Sequence, residues 1–174
     1  YGADSPVSEV WKKYKEIEPR ASGADLAAQW HGGAVIADPS THAVHRLADG
    51  RLFRNAFVFS ASHQRGRKIK THEHLEALER ADLSRLSKSE ALSSGLRAAR
   101  TGNFEDFAQA VNAYAALLHS MGFELPQTTE DRGALRDVPG VRAVKGIGAM
   151  QADALIALGE PNADAAELSR RLLS

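Results

Sequence analysis

The residues with chemistry to offer fall at three places along the 174-residue chain. Asp25 stands three residues after Ser22 and two after Gly23, heading an Ala-rich segment that closes on Gly32-Gly33 and runs into the apolar stretch 34–37. Ser and Asp favour helix N-termini because their side-chain oxygens accept orphan amide hydrogens there, so Asp25 reads as the cap of a short helix. A carboxylate at a helix start could equally orient or deprotonate a hydroxyl. The second place is the basic run Arg65-Gly66-Arg67-Lys68-Ile69-Lys70, directly after the β-branched and aromatic stretch 55–60, with Thr71 behind it. A glycine-centred basic loop leaving a strand end suits a phosphate or carboxylate, and it suits equally a solvated loop that keeps an edge soluble. The third is Lys145-Gly146-Ile147-Gly148, set between apolar runs 141–144 and 154–158, which reads most plainly as a β-hairpin with glycines at its turn. His72 and His74 are two apart, hence on different faces of a helix, and are no zinc pair. No metal ligand is assigned.

The elements that must carry these groups follow from periodicity. Val7, Val10, Trp11, Tyr14 and Ile17 recur at helical spacing opposite Lys12, Lys13, Lys15 and Glu16, and Pro19 stops this first helix. Asp38-Pro39-Ser40-Thr41 is a turn signal, and Val44 and Leu47 mark a second short strand before Asp49-Gly50. With 55–60 as the best strand, three extended segments in succession predict a partly antiparallel sheet. Thr71 is expected to cap a helix carrying Leu75, Leu78 and Leu83, and 83–100 reads as helical with Leu86, Leu92 and Leu96 on one side. After the break at 101–103, Phe104, Phe107, Ala108, Val111, Ala115 and Leu118 form a near-ideal helical stripe closed by Gly122. A short helix over 129–135, strand, glycine loop, strand and a final helix over 164–173 complete an α+β chain: a small, mostly antiparallel sheet backed by helices.

Composition bounds the function. Basic and acidic residues balance at 22 each, so no global field draws the chain to nucleic acid or to an anionic membrane. There is no Cys, which removes disulfides and thiolate metal sites and suits a cytoplasmic protein. No apolar run approaches the roughly 18 residues of a membrane span, and no signal-peptide pattern opens the sequence. The start at Tyr1, followed at once by Ser/Pro-containing sequence, suggests a fragment or processed product.

The run Ser22-Gly-x-Asp25-x-Ala27-Ala28-x-x-x-Gly32-Gly33 resembles the segment of GHMP small-molecule kinases that carries their catalytic Asp, mevalonate, phosphomevalonate and galactose kinases among them. Lys145-Gly146-Ile147-Gly148-Ala149 resembles that family's third, glycine-rich motif, although Met150-Gln151-Ala152-Asp153 stands where its glycine run continues. Asn112 matches an Asn often found on the family's long helix, and the order of elements is the same over nearly the whole chain. The resemblance implies the fold of the GHMP kinase C-terminal domain over 34–174. Residues 1–33 would be a helix plus the catalytic-Asp segment continuing from an N-terminal domain. It also implies ATP-dependent phosphoryl transfer, with Mg²⁺, to a small metabolite, mevalonate or a related acceptor. Asp25 would be catalytic, Ser22, Arg65, Arg67, Lys68 and Thr71 would meet the substrate, and Lys145, Gly146 and Gly148 would meet the nucleotide.

Such a kinase also needs a Gly/Ser-rich phosphate loop, which cradles phosphates on backbone amides. Neither Ser22-Gly23 nor Ser93-Ser94-Gly95 has its glycine density. The expectation is that this chain alone is inactive and that an N-terminal kinase half, in the same or a second chain, completes it. Two other readings stand beside this one. Lys145-Gly-Ile-Gly-x-x-Gln-Ala-x-Ala-Leu-Ile-Ala-Leu-Gly159 resembles a helix-hairpin-helix, a nucleic-acid backbone binder, although 141–144 reads as strand and the neutral charge gives no basic footprint. A kinase-like half that only mediates contacts is the third.

Overall fold

A computed structural model describes residues 6–19, 22–38, 40–47, 50–60, 76, 78–148, 151 and 153–173. The fold is α+β, with a two-stranded and a three-stranded antiparallel sheet backed by helices. The chain forms two compact units, Tyr1–Gly50 and Arg51–Ser174.

Unit 1 is built on helix α1 (Pro6–Ile17). Its buried face is narrower than the periodicity predicts: Val7, Ser8 and Trp11 are buried, whereas Val10 is exposed and Ile17 is 81% exposed. A 50-residue unit has too little interior to cover a full stripe. Helix α2 (Ala24–His31) ends at Gly32, whose N–H donates to the Ala28 carbonyl, and Gly32 and Gly33 both adopt positive φ to turn the chain into β1 (Val35–Asp38). β1 pairs antiparallel with β2 (Ala43–Arg46), which stops one residue short of Leu47. Val7, Trp11, Ala27 and Val44 form the core, with Leu26, Val35 and Ala37 packed against it.

Unit 2 contains a sheet of order β3-β5-β4, with β3 (Ala56–Ser60), β4 (Val141–Ile147) and β5 (Ala154–Gly159) all antiparallel. The three early strands therefore do not make one sheet. β1 and β2 form their own hairpin, while β3 pairs with β5 from far along the chain. Strand propensity marks extended backbone but not its partner. β5 supplies the reason for the pairing: Leu155, Ala157 and Leu158 are buried, so it needs a neighbour on each side and a helix over each face.

The helices match the predicted stripes with two adjustments. The stretch 83–100 is broken into α3 (Ser84–Ser87) and α4 (Glu90–Thr101), because Ser89 takes an extended backbone and its hydroxyl accepts from the Leu92 N–H at 3.2 Å. Helix α6 (Pro126–Arg136) begins three residues before the expected 129, with Pro126 at a position where its missing N–H is no loss. The long helix α5 (Phe104–Ser120) is capped by Asn103, whose side chain accepts from the Asp106 N–H at 3.2 Å. Asp164 accepts from the amides of Ala166 and Glu167 and caps α7 (Ala165–Leu173).

α5 covers one sheet face, where Ala108, Ala143 and Leu158 are buried with Phe104, Phe107 and Val111 around them. α6 covers the other through Leu135, over Val144, Leu155 and Ala157. Asn112 of α5 closes the outer edge of β4: its Nδ2 donates to the Arg142 carbonyl at 2.8 Å and its Oδ1 accepts from the Val144 N–H at 3.3 Å. One side-chain amide thus takes the place of a neighbouring strand at an edge that would otherwise leave backbone groups unpaired.

Gly159 marks where α7 comes closest. A Cβ there would lie 2.1 Å from Leu168 Cδ2 and 3.4 Å from Asn55 Cβ. Gly159→Ala is expected to lower the unfolding free energy by about 1–3 kcal/mol, as overpacking does, read from the midpoint of urea denaturation. Adding Leu168→Val should recover part of that loss; an unchanged midpoint for Gly159→Ala would contradict this packing.

Candidate functional site

Asp25 is exposed on the first turn of α2. It is not the cap. The residue before the helix is Gly23, in the left-handed region at φ 72, and it has no side chain to offer. No side-chain cap bond closes this helix start; the Ser22 hydroxyl accepts from the Ala24 N–H at 3.3 Å across a two-residue turn. No hydrogen bond or ion pair engages Asp25 among the described residues, so its carboxylate is free to meet a partner from solution. Its place in the first turn suits its charge, since the N-terminal end of a helix carries a partial positive charge.

In unit 2, Lys145, Gly146 and Gly148 occupy the β4–β5 hairpin. β4 continues through Lys145 and Gly146 to Ile147, so these residues belong to a strand rather than to a loop, and the reversal spans 148–153. This corrects the helix-hairpin-helix expectation for 145–159. Among the described residues, paired strands occupy the places of the helices.

Lys145 is largely enclosed. Its Nζ donates to the Gly146 carbonyl at 2.7 Å and to Gln151 Oε1 at 2.6 Å. Burial of the ammonium pushes its pKa down to about 8, with the charge of Glu124 opposing the shift. Thr128 of α6, fully buried, donates to the Gln151 carbonyl at 3.1 Å and ties the same turn to the helix.

Beside this lies a buried charge network that sequence reading misses. Arg132 Nε donates to Glu124 Oε1 at 2.9 Å and its Nη2 to Glu124 Oε2 at 3.0 Å, a two-pronged pairing in which the Glu124 side chain is 1% exposed. The Thr129 hydroxyl donates to Glu124 Oε2 at 2.9 Å, and His119 Nδ1 lies 3.3 Å from the same oxygen. A buried carboxylate is tolerable only when so fully engaged. Glu124 stands in the connector between α5 and α6, so the network locks the two helices that cover opposite faces of the sheet. The one available signal was the spacing of Glu124 and Arg132, eight residues apart, but with Glu124 outside the helix no periodic rule points to it.

The glycines test whether this hairpin could receive a phosphate. A Cβ at Gly146 would lie 2.5 Å from Gln151 Cβ and 2.6 Å from its carbonyl oxygen; at Gly148 it would lie 1.9 Å from Asp153 Oδ2. The space beside both glycines is thus filled by the protein's own chain, and at Gly148 by a carboxylate. With Lys145 already donating to two internal acceptors, these residues do not fit a nucleotide phosphate. Among the described residues no group of three or more His, Asp or Glu could hold a metal ion. Arg65, Arg67, Lys68 and Thr71, like His72 and His74, lie outside the described residues.

Surface hollows lie elsewhere among the described residues of unit 2. One of about 580 Å³ runs between α4 and α5 over Ala91, Ser94, Ala98 and Ala110, and no sequence-predicted site residue lines it. A smaller one of about 250 Å³ lies beside Phe59, Ser60, Leu135 and Leu155 at the end of β3, the strand from which the basic run departs. Among the described residues no helix is long and apolar enough to cross a membrane. No protein-family model and no curated protein matches the chain.

The desolvated Lys145 gives a signed pH dependence. An unfolded lysine keeps its proton to near pH 10.4, whereas the folded one loses it near pH 8. Between those values the unfolded state binds more protons, so the unfolding free energy rises with pH, by at most about 1.4 kcal/mol per pH unit. Denaturant titrations of the protein and of Lys145→Met should run parallel from pH 6 to about 7.5 and diverge above that, with the slope present only while the lysine is; parallel curves to pH 10 would contradict the burial of this amine.

Proposed function

We propose that this chain supplies the acceptor-activating carboxylate and the C-terminal half of a small-molecule kinase of the GHMP type. The observation that carries the reading is Asp25: a carboxylate on a first helical turn, exposed, engaged by no hydrogen bond or ion pair among the described residues and not the cap that the competing explanation made of it. The succession of α2, paired glycines and β1, then a long helix whose Asn112 is bonded to the following strand, supports it from the arrangement of elements.

In this reading Asp25 accepts a hydrogen bond from the hydroxyl of a small metabolite, mevalonate or a relative, and orients it or takes its proton as the oxygen attacks. Arg65, Arg67, Lys68 and Thr71 follow the end of β3 in sequence and suit an anionic group on that metabolite. ATP with Mg²⁺ supplies the phosphoryl group when bound. Among the described residues the space beside Gly146 and Gly148 is filled by the chain itself, so in this reading nucleotide binding falls to an N-terminal kinase half with its own phosphate loop. Lys145 and the Glu124–Arg132 pair then serve to hold the sheet and its two helices as one rigid support. The same filled hairpin favours a second reading, a kinase-like half that mediates contacts without catalysis.

Asp25→Asn keeps the size of the side chain and removes its charge. In the chain joined to its N-terminal half, this substitution should lower kcat by about 10²–10⁴-fold, the usual range for a lost general base, with circular dichroism unchanged. Equal turnover by both proteins would make Asp25 a surface carboxylate and no more. An intact assembly in which neither protein turns over would leave the contact-mediating reading.

A further inference from the structure

We infer that Trp11 is the positioning residue for Asp25, through direct contact between its indole ring and the backbone of Gly23. This rests on the kinase reading of Asp25, but the contact stands by itself. Trp11 is fully buried, and a Cβ at Gly23 would lie 1.8 Å from its Nε1, 2.3 Å from Cε2 and 2.5 Å from Cδ1. The pyrrole edge of the indole therefore occupies the volume that any other residue at 23 would need. Gly23 is buried, adopts φ 72, and its carbonyl accepts from the Ala27 N–H at 3.0 Å, a bond at the start of α2 that spans Asp25. An eight-residue helix has little stability of its own. Ala27 and Leu26 seat its inner face in the core, and the ring of Trp11 fixes the turn from which Asp25 projects.

Two features show that the ring is there for its shape. Its Nε1–H is buried with no acceptor among the described residues, an arrangement that burial penalises and that a phenyl ring would avoid. The ring is also fixed from another direction: His42 meets it edge-on, with centroids 5.4 Å apart and planes at 82°. His42 is itself held in the left-handed region at φ 56, and its carbonyl accepts from the buried Ser8 hydroxyl at 2.8 Å. One face of α1 thus grips both the β1–β2 turn and the start of α2. Trp11 touches no reacting atom in this account, and acts only by fixing the turn from which Asp25 projects.

The test uses Gly23→Ala, Trp11→Leu and the pair together. Hydrogen exchange of the Ala27 amide is read in the chain, and kcat and acceptor KM are read in the chain joined to its N-terminal half. Gly23→Ala forces the turn off the ring, and should speed Ala27 exchange about tenfold or more and lower kcat by up to about 10²-fold with KM nearly unchanged. Trp11→Leu removes the ring, leaves the turn loosely supported and should shift the same two readouts in the same direction by a smaller factor. In the double variant the missing ring makes room for the added methyl, so its defects should be smaller than those of Gly23→Ala alone. Unchanged Ala27 exchange in Trp11→Leu, or a double variant no better than Gly23→Ala, would overturn the inference, the second because the defect would then be the strain of φ 72 alone. If Gly23→Ala fails to fold, Trp11→Leu still decides. Should Asp25→Asn leave turnover unchanged, the kinase reading fails while the exchange data still judge the contact.

Discussion

Strand β5 is apolar on both faces and central in its sheet, and most of unit 2 follows from covering it. Leu158 and Ile156 point one way and Leu155 and Ala157 the other, so one helix is required above and one below. α5 and α6 meet that need, and the connector between them has to pass the edge of β4. Two devices make the passage tolerable: Asn112 supplies the edge with a substitute neighbour, and Glu124, carried inward by the connector, is neutralised by Arg132. Removing one member of such a pair costs about 3–5 kcal/mol because the other charge is left buried alone. The pair reads as a consequence of the route the chain takes, with Lys145 enclosed beside it.

Unit 1 solves a different problem. It has a small core and a short helix, with Asp25 exposed on its first turn. Its solution is a single large side chain: Trp11 fills the interior from α1, and the two neighbouring segments are fitted to it, Gly23 by lacking a side chain and His42 by a left-handed backbone. The carboxylate of Asp25 is engaged by no hydrogen bond or ion pair among the described residues, and its charge suits the N-terminal end of α2.

Much of the fold is legible in the sequence wherever the signal is local. The stripe from Phe104 to Leu118, the paired glycines after α2, the caps at Asn103 and Asp164 and the apolar runs of β3 and β5 are each written within a few residues. What is not legible depends on distant partners. Val44 and Phe57 look equally like strand residues, and only β5, a hundred residues further on, separates the two into different sheets. The same holds for the site. Asp25 and its position on a helix start can be read directly, but that Gly23 rather than Asp25 stands at the N-cap depends on its left-handed backbone. Lys145 and its glycines stand out as a motif, yet their enclosure by Gln151, Thr128 and Asp153 is a tertiary fact with no trace in spacing. Trp11 reads as an ordinary core residue of an amphipathic helix until Gly23 is seen against its ring.

On the proposed reading, this chain carries an acceptor-activating carboxylate and leaves the nucleotide phosphates to another segment. The most direct measurement is a coupled ADP-release assay with a panel of small hydroxylated metabolites, run on Tyr1–Ser174 by itself and again with an N-terminal kinase half supplied. The account predicts no release above background from the chain by itself and acceptor-dependent release once the second half is present. Acceptor-dependent release by the chain by itself would contradict it, because the nucleotide would then have to be held by residues that the filled Lys145–Asp153 hairpin does not provide.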